Sequence, residues 1–587
     1  LLPASLAKRG FLLLLAATTL VYFYGLGRAP FFGADEPRYA EVAREMYTRG
    51  DLVTPTLGGR TWFEKPALGY WAQMAGFELF GVSERAARLG GALAGWLTVL
   101  LVGWMCGRVE QRARDELSGE GAEGDESETI EGRSGAWSAR GLQLACAGVM
   151  ASSGGLFVFT RAVNFDILLT ATITLSLACF FISEIETDAR KARLLLAGFY
   201  AGAGCALLAK GLVGIVITLG VVALYQIVRR RMPRASSSLL WGVPLMLLVA
   251  ASWYAPVMYA NGRAFFDEFI IKHHFARFVS NKYHHPGPPY YYLIVIPAFA
   301  LPWTPLLVAA LKDLWWERRR TRGGATDAAT GADVTGGSDA TGGCEAVWRL
   351  RLFALAWIVV PVVFFSASQS KLPGYVLPAL PGAAVLAGCE LWRYARGARR
   401  TWAVRAAGCV MLSAAATIFY GAHAGIIETR CALLVAAPLV AGGAWVVLAR
   451  GSRLRIACVI VGATLLASML SVSCAQEGIT RHESVRDLLR LAAIHGYADA
   501  PVVNLYGVER SSEYYAAGRL LYGEDGEPRS FDGVDPVAEY ARERGATVLV
   551  IVPVKHVGQL LTCRVVPVEM IGDNGANALV AVHGEAR

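Results

Sequence analysis

The chain has 587 residues, of which 55% are hydrophobic and only 18% charged, and its mean hydropathy is +0.41. Water-soluble chains are roughly 45–50% apolar and about 25% charged, so a string of soluble domains is excluded. The formal net charge of +9 would suit nucleic acid, but basic residues gathered in loops between membrane spans explain it without such a partner.

Leu1 stands where an initiator Met is expected, so the true start is expected upstream. Phe11 to Gly27 is apolar with no small-residue cleavage site after it, and reads as a retained first helix. Apolar stretches of about 17–25 residues recur to about residue 475, each long enough for the roughly 30 Å hydrocarbon layer. About thirteen spans are predicted, near 11–27, 87–106, 141–160, 164–183, 193–209, 211–228, 238–258, 290–311, 350–367, 373–390, 402–421, 432–449 and 455–473. The pair flanking Lys210 could instead be one broken hairpin.

Placing the N-terminus inside puts roughly 29 Lys and Arg in the inner loops against about four in the short outer connections. Two inner loops, one acidic from Asp115 and one Gly/Ala/Thr-rich from Gly323, hold too few apolar residues to repay ordering and are predicted to be disordered. The segment 476–587 changes character. VVNLYG (502–507), TVLVIVPV (547–554) and ALVAVH (578–583) read as strands and 536–544 as a helix, giving a small outer α/β domain. The cysteines form no CxxC pair or zinc-finger spacing. Cys474 and Cys563 both fall outside, where a disulfide is open to them but unsupported.

Two outer loops, 28–86 and 259–290, carry the informative residues. In the first, Tyr39, Val42, Ala43 and Met46 share one helical face, with Glu41, Arg44, Glu45 and Arg49 on others. Asp35 sits just before this helix and can cap it. A second stretch, 67–80, alternates aromatic and small residues, and both arms are expected as amphipathic helices on the outer membrane surface. Asp35-Glu36 taken alone is as well explained by the helix dipole. Its company raises a functional reading: Asp35, Arg38, Tyr39 and Lys65 share one loop, and carboxylates with cations suit a phosphate leaving group and a developing oxocarbenium charge. Anionic headgroups are the competing partner for the two cations.

The second loop holds His273-His274 and His284-His285, with Arg277 a further phosphate candidate. Zinc needs three or four ligands, and adjacent histidines do not share a helix face, so a third ligand must come from elsewhere. Arg161, Asp166, Lys210 and Lys371 are the isolated charges beside the spans, and all fall near the outer ends. For the lysines, snorkelling to the interface is the plain alternative.

FFGADEPRYAEVAREM, FEKPALGYW, TRAVNFD, HHFARF and SQSKLPGYVLPALPG run in order over about residues 10–390. They resemble the 4-amino-4-deoxy-L-arabinose transferases of lipid A, in the protein O-mannosyltransferase-like group of C-type glycosyltransferases. The resemblance implies an α-helical polytopic fold over 1–475 with an outer α/β domain over 476–587. It also implies inverting transfer of aminoarabinose from undecaprenyl phosphate to lipid A phosphate, with no nucleotide sugar, at the periplasmic face of a bacterial inner membrane. Asp35 would be the main catalytic carboxylate and Asp166 a second acidic group. Lys65, Arg277 and Tyr375 would hold the carrier phosphate, with Arg38, Tyr39 and Lys210 lining the same cavity. Glu64 with His273 and His274 would hold a divalent metal such as Zn, in a structural role, and the chain would act as a monomer among membrane lipids.

One departure is Ala67, where a second proline commonly follows FEKP. The competing readings are a polyprenyl-phosphate mannose or other pentose transferase acting on protein or glycolipid and, outside enzymes, a carrier flippase or transporter. A transporter should show internal repeats and midplane charges, and neither is visible.

Overall fold

The computed structural model describes residues 4–120, 141–230, 238–276, 287–327, 345–397, 401–449, 451–516, 518–524 and 526–584. Among them, ten helices are long and apolar enough to cross a membrane, and two bent helix pairs raise the number to twelve if each is one span. The chain is therefore a multi-pass, mainly helical membrane protein. The predicted first span falls on the helix Ala4–Phe23. Most of the two inner low-complexity loops lies outside the described residues.

Lys210 stands between two helices that are each long and apolar enough to cross a membrane. It ends the helix Ala189–Lys210, and Leu212–Arg229 begins directly after Gly211, whose φ of +73° makes the sharp reversal. Two predicted straight spans are broken instead. The first divides into Gly141–Ala151 and Gly154–Thr160 at 58°. The second divides into Tyr291–Phe299 and a helix from Thr304, bent by 120°. The break falls on Leu301-Pro302-Trp303-Thr304-Pro305, where two prolines remove N–H donors that a continuous helix needs. The core between the helices is built from small and large apolar side chains, among them Ala147, Ala178, Ala384, Phe180, Trp303 and Trp357, all buried.

The last hundred residues form a five-stranded sheet in the order Ser530–Phe531, Val502–Leu505, Thr547–Pro553, Asn577–His583, Val568–Asp573. The first three strands are parallel and the last two pair antiparallel. The sequence showed the three buried strands but not Ser530–Phe531 or Val568–Asp573, whose residues are only partly buried. Period-two alternation divides the central strand. Val548, Val550 and Val552 pack on the side of the helix Val534–Arg544, while Leu549 and Ile551 face the helix Arg486–Ile494. The described disulfide joins Cys431 to Cys474 at adjoining ends of the last two long helices, and Cys563 is a free thiol, so the pairing left open for Cys474 and Cys563 is not made.

Candidate active site

The outer loop folds as expected into helices Asp35–Arg49 and Leu68–Phe80, and Tyr39, Val42, Ala43 and Met46 are buried together. Two details differ. Ala34, not Asp35, is the N-cap; Asp35 is the first helical residue, is exposed, and makes no capping bond. Glu41 is buried because the C-terminal domain covers that face: Arg44 pairs with Glu41, lies 4.7 Å over the Tyr514 ring and donates to the Tyr514 carbonyl.

Glu36, beside Asp35, turns inward. Its carboxylate meets Arg88 through Nε at 2.7 Å and Nη2 at 2.8 Å, and Oε1 also accepts from the Val163 N–H at 2.9 Å. Arg88, fully buried, further donates to the carbonyls of Leu26, Ala29 and Pro30. This network fastens the turn before Asp35 to the long helix that begins at Glu84. Sequence reasoning missed it, because Arg88 reads as one charge at a span end.

The predicted phosphate-handling residues fall into two groups. Lys65 Nζ lies 2.5 Å from Glu64 Oε1 and 5.4 Å from the Tyr39 ring centre. Arg38 donates from Nε to Glu513 Oε2 at 3.3 Å and lies 5.1 Å over the Trp62 ring. Burial lowers the Arg38 pKa, and Glu513, then Glu64 and Glu527, more than restore it, so the guanidinium stays charged. Tyr70 is fully buried, its hydroxyl has no hydrogen-bond partner among the described residues, and burial first, then Glu64, push that hydroxyl well above the usual phenol range.

In the second group Asp166 pairs with Lys210, whose Nζ lies 4.5 Å over the Tyr375 ring. Gly374 packs so tightly here that a Cβ would stand 2.7 Å from Asp166 Oδ2. Phe165 joins the groups, its ring edge-on to Tyr39 at 4.9 Å and to Tyr70 at 5.2 Å. Gly69 permits this contact: a Cβ there would meet Phe165 Cε1 at 2.3 Å.

The other isolated charges have structural partners. Arg161 donates to the carbonyls of Val21 and Tyr22, and Lys371 to that of Ser368. Arg277 and the pair His284-His285 lie outside the described residues, as do the side chains of His273 and His274, whose backbone belongs to the π-helix Phe266–Ala276. Among the described residues no three His, Cys, Asp or Glu side chains are grouped to hold a metal. Phe63 packs on Phe265 at 5.3 Å, which sets Glu64 beside the element that carries the two histidines.

These features define a multi-pass helical membrane fold that gathers charged and aromatic side chains into one site. The chain matches structures of ArnT from Cupriavidus metallidurans, one bound to undecaprenyl phosphate (TM-score 0.70, 22% identity) and one in the apo state (TM-score 0.71, 23% identity), over 98% of each chain. A family model described as dolichyl-phosphate-mannose-protein mannosyltransferase matches residues 11–114 and 136–267.

The chain is similar in sequence to proteins named undecaprenyl phosphate-α-4-amino-4-deoxy-L-arabinose arabinosyl transferase. It is 29% identical to the Pseudomonas aeruginosa protein over 65% of this chain, and spans 59% of that relative's length. Against the Aeromonas salmonicida protein it is 28% identical over 66% of this chain and 61% of the relative.

Proposed function

We propose that the chain is an inverting glycosyltransferase that moves 4-amino-4-deoxy-L-arabinose from undecaprenyl phosphate to a lipid A phosphate at the periplasmic face of the inner membrane. The observation that carries the reading is the grouping of Asp35, Arg38 and Lys65 on one loop, joined through Phe165 to Asp166, Lys210 and Tyr375. The relatives' names supply the donor and the sugar.

In the reaction the bond from the anomeric carbon to the carrier phosphate breaks, and a bond to an acceptor phosphate oxygen forms on the opposite face. A phosphodiester and a monoester dianion become a monoester dianion and a phosphodiester, so total charge is unchanged. Asp35 therefore has no proton to remove; it orients the acceptor or the sugar's ammonium group. Lys65, Arg38, Arg277 and Tyr375 hold phosphate oxygens and stabilise the leaving dianion. Asp166 fixes Lys210 against Tyr375.

Glu64 with His273 and His274 is a carboxylate–imidazole set suited to zinc, and the Phe63–Phe265 contact brings their elements together. The metal would tie the two outer loops and take no part in bond making. The disulfide at Cys431–Cys474 suits an oxidising compartment on that side.

Purified protein given radiolabelled undecaprenyl-phosphate aminoarabinose should label lipid A in detergent, and Asp35→Asn or Lys65→Ala should abolish labelling without loss of folding. Movement of the carrier across vesicles with no covalent product would support a flippase instead.

A further inference from the structure

The C-terminal domain reaches the helix Asp35–Arg49 through the segment 509–515. Its seating is fixed several times over. Tyr515 Oη accepts from the Phe31 N–H at 2.7 Å and donates to Glu84 at 2.9 Å, and the Tyr514 ring meets Phe31 edge-on at 4.7 Å. Glu513, between these anchors and Arg510, is fully buried, and its two oxygens are divided. Oε1 accepts from Arg510 Nη1 at 2.7 Å and Oε2 from Arg38 Nε at 3.3 Å.

The guanidinium of Arg38 is thus gripped at one edge by Glu513 and on one face by Trp62. Among the described residues, neither of its terminal nitrogens donates to a protein acceptor. A guanidinium held by Nε alone presents its Nη1–Nη2 pair as a fork, the geometry that matches two oxygens of one phosphate.

We propose that Glu513 is a positioning residue: the C-terminal domain holds Arg38 by its Nε so that the two terminal nitrogens bind a lipid phosphate. The inference rests on the transferase reading for the ligand, but the Glu513–Arg38 link stands on geometry alone. The phosphate belongs to the carrier or to the acceptor, and each is measured separately.

The test uses the full chain in detergent as wild type, Glu513→Gln, Glu513→Asp, Arg38→Lys and the Glu513→Gln/Arg38→Lys double variant. Phenylglyoxal modification of Arg38, followed by mass spectrometry, should run several-fold faster in Glu513→Gln at unchanged melting temperature. Glu513→Asp, which keeps the charge and serves if the amide variant does not fold, should give an intermediate rate.

Affinity for undecaprenyl phosphate or for lipid A should fall about tenfold in Glu513→Gln. The lipid affected identifies the phosphate held. The same change made in the Arg38→Lys background should cost nothing further. Unchanged Arg38 reactivity, or an equal loss in the Arg38→Lys background, would show that Glu513 only docks the domain. Wild-type protein that binds neither lipid would overturn the transferase reading and this inference's ligand with it, while the reactivity result would still decide the Glu513–Arg38 link.

Discussion

Replacing Arg88 by alanine removes five hydrogen bonds from a place water does not reach. Three accepting carbonyls and the Glu36 carboxylate lose their donor at once, and among the described residues Glu36 keeps the N–H groups of Val163 and Phe32. Removing one partner of a buried ion pair costs about 3–5 kcal/mol, because the remaining charge is stranded. Each carbonyl left dry adds up to about 1–3 kcal/mol, reduced where the alanine cavity admits water. A total of at least about 5 kcal/mol follows even if water relieves most of the carbonyls, a third or more of the stability of a protein held by about 5–15 kcal/mol. Arg88→Met combined with Glu36→Gln strands no charge and should cost roughly half as much. Titration with SDS in mixed micelles, read by tryptophan fluorescence, gives the free energies. Arg490→Ala is the control, since its partner Asp487 lies at 3.5 Å and both side chains are more than half exposed; it should change stability by less than about 0.5 kcal/mol. An Arg88→Ala protein within about 1 kcal/mol of wild type would refute the claim that this network holds the Asp35 turn in place.

Other outcomes follow from the same geometry. Burial, opposed by Arg44, pushes the Glu41 carboxyl from the ordinary 4.5 up to about 7. Folded protein then holds a proton that unfolded protein has lost, so this stabilisation is complete below about pH 4.5 and disappears as pH rises through about 7. Melting temperature from pH 5 to 8 should fall less in Glu41→Gln than in wild type, the difference corresponding to a term on the order of 3 kcal/mol. Gly69→Ala gains about 1 kcal/mol in helix propensity, but overpacking against Phe165 costs about 1–3 kcal/mol. The net should be destabilising, with loss of transfer as Phe165 leaves Tyr39 and Tyr70; an unchanged melting temperature would contradict it. Asp166→Asn should lower thermal stability more than Asp166→Asn/Lys210→Met, which leaves no unpaired charge. Peptide mapping without reductant should recover Cys431 linked to Cys474 and Cys563 as a free thiol.

The spans were legible because their physics is local: an apolar run of sufficient length needs no partner to be recognised. Their breaks were less so. The Leu301–Pro305 stretch carries the prolines that cause its bend, yet hydropathy averages across them. Asp166 and Lys210 stood out as isolated charges near one surface, but only the fold brings two residues 44 positions apart into a pair. Glu513 and Arg38 are 475 residues apart, and nothing in either segment alone announces the other. Amphipathic spacing placed Tyr39 and Met46 in the core correctly and misplaced Glu41, because the pattern cannot show that a second domain covers the polar face. Asp35 and Lys65 were visible through the company they keep in one loop. The fastening by Arg88 was hidden in a span that reads as ordinary lipid-facing helix.

Mass spectrometry of lipid A decides the matter most directly. Bacteria that lack an aminoarabinose transferase but make the undecaprenyl-phosphate sugar would be supplied with this chain or with its Asp35→Asn variant. Lipid A carrying the amino sugar on a phosphate should appear with the first and not with the second. Unmodified lipid A in cells where the full chain is present, folded and in the inner membrane would contradict the account.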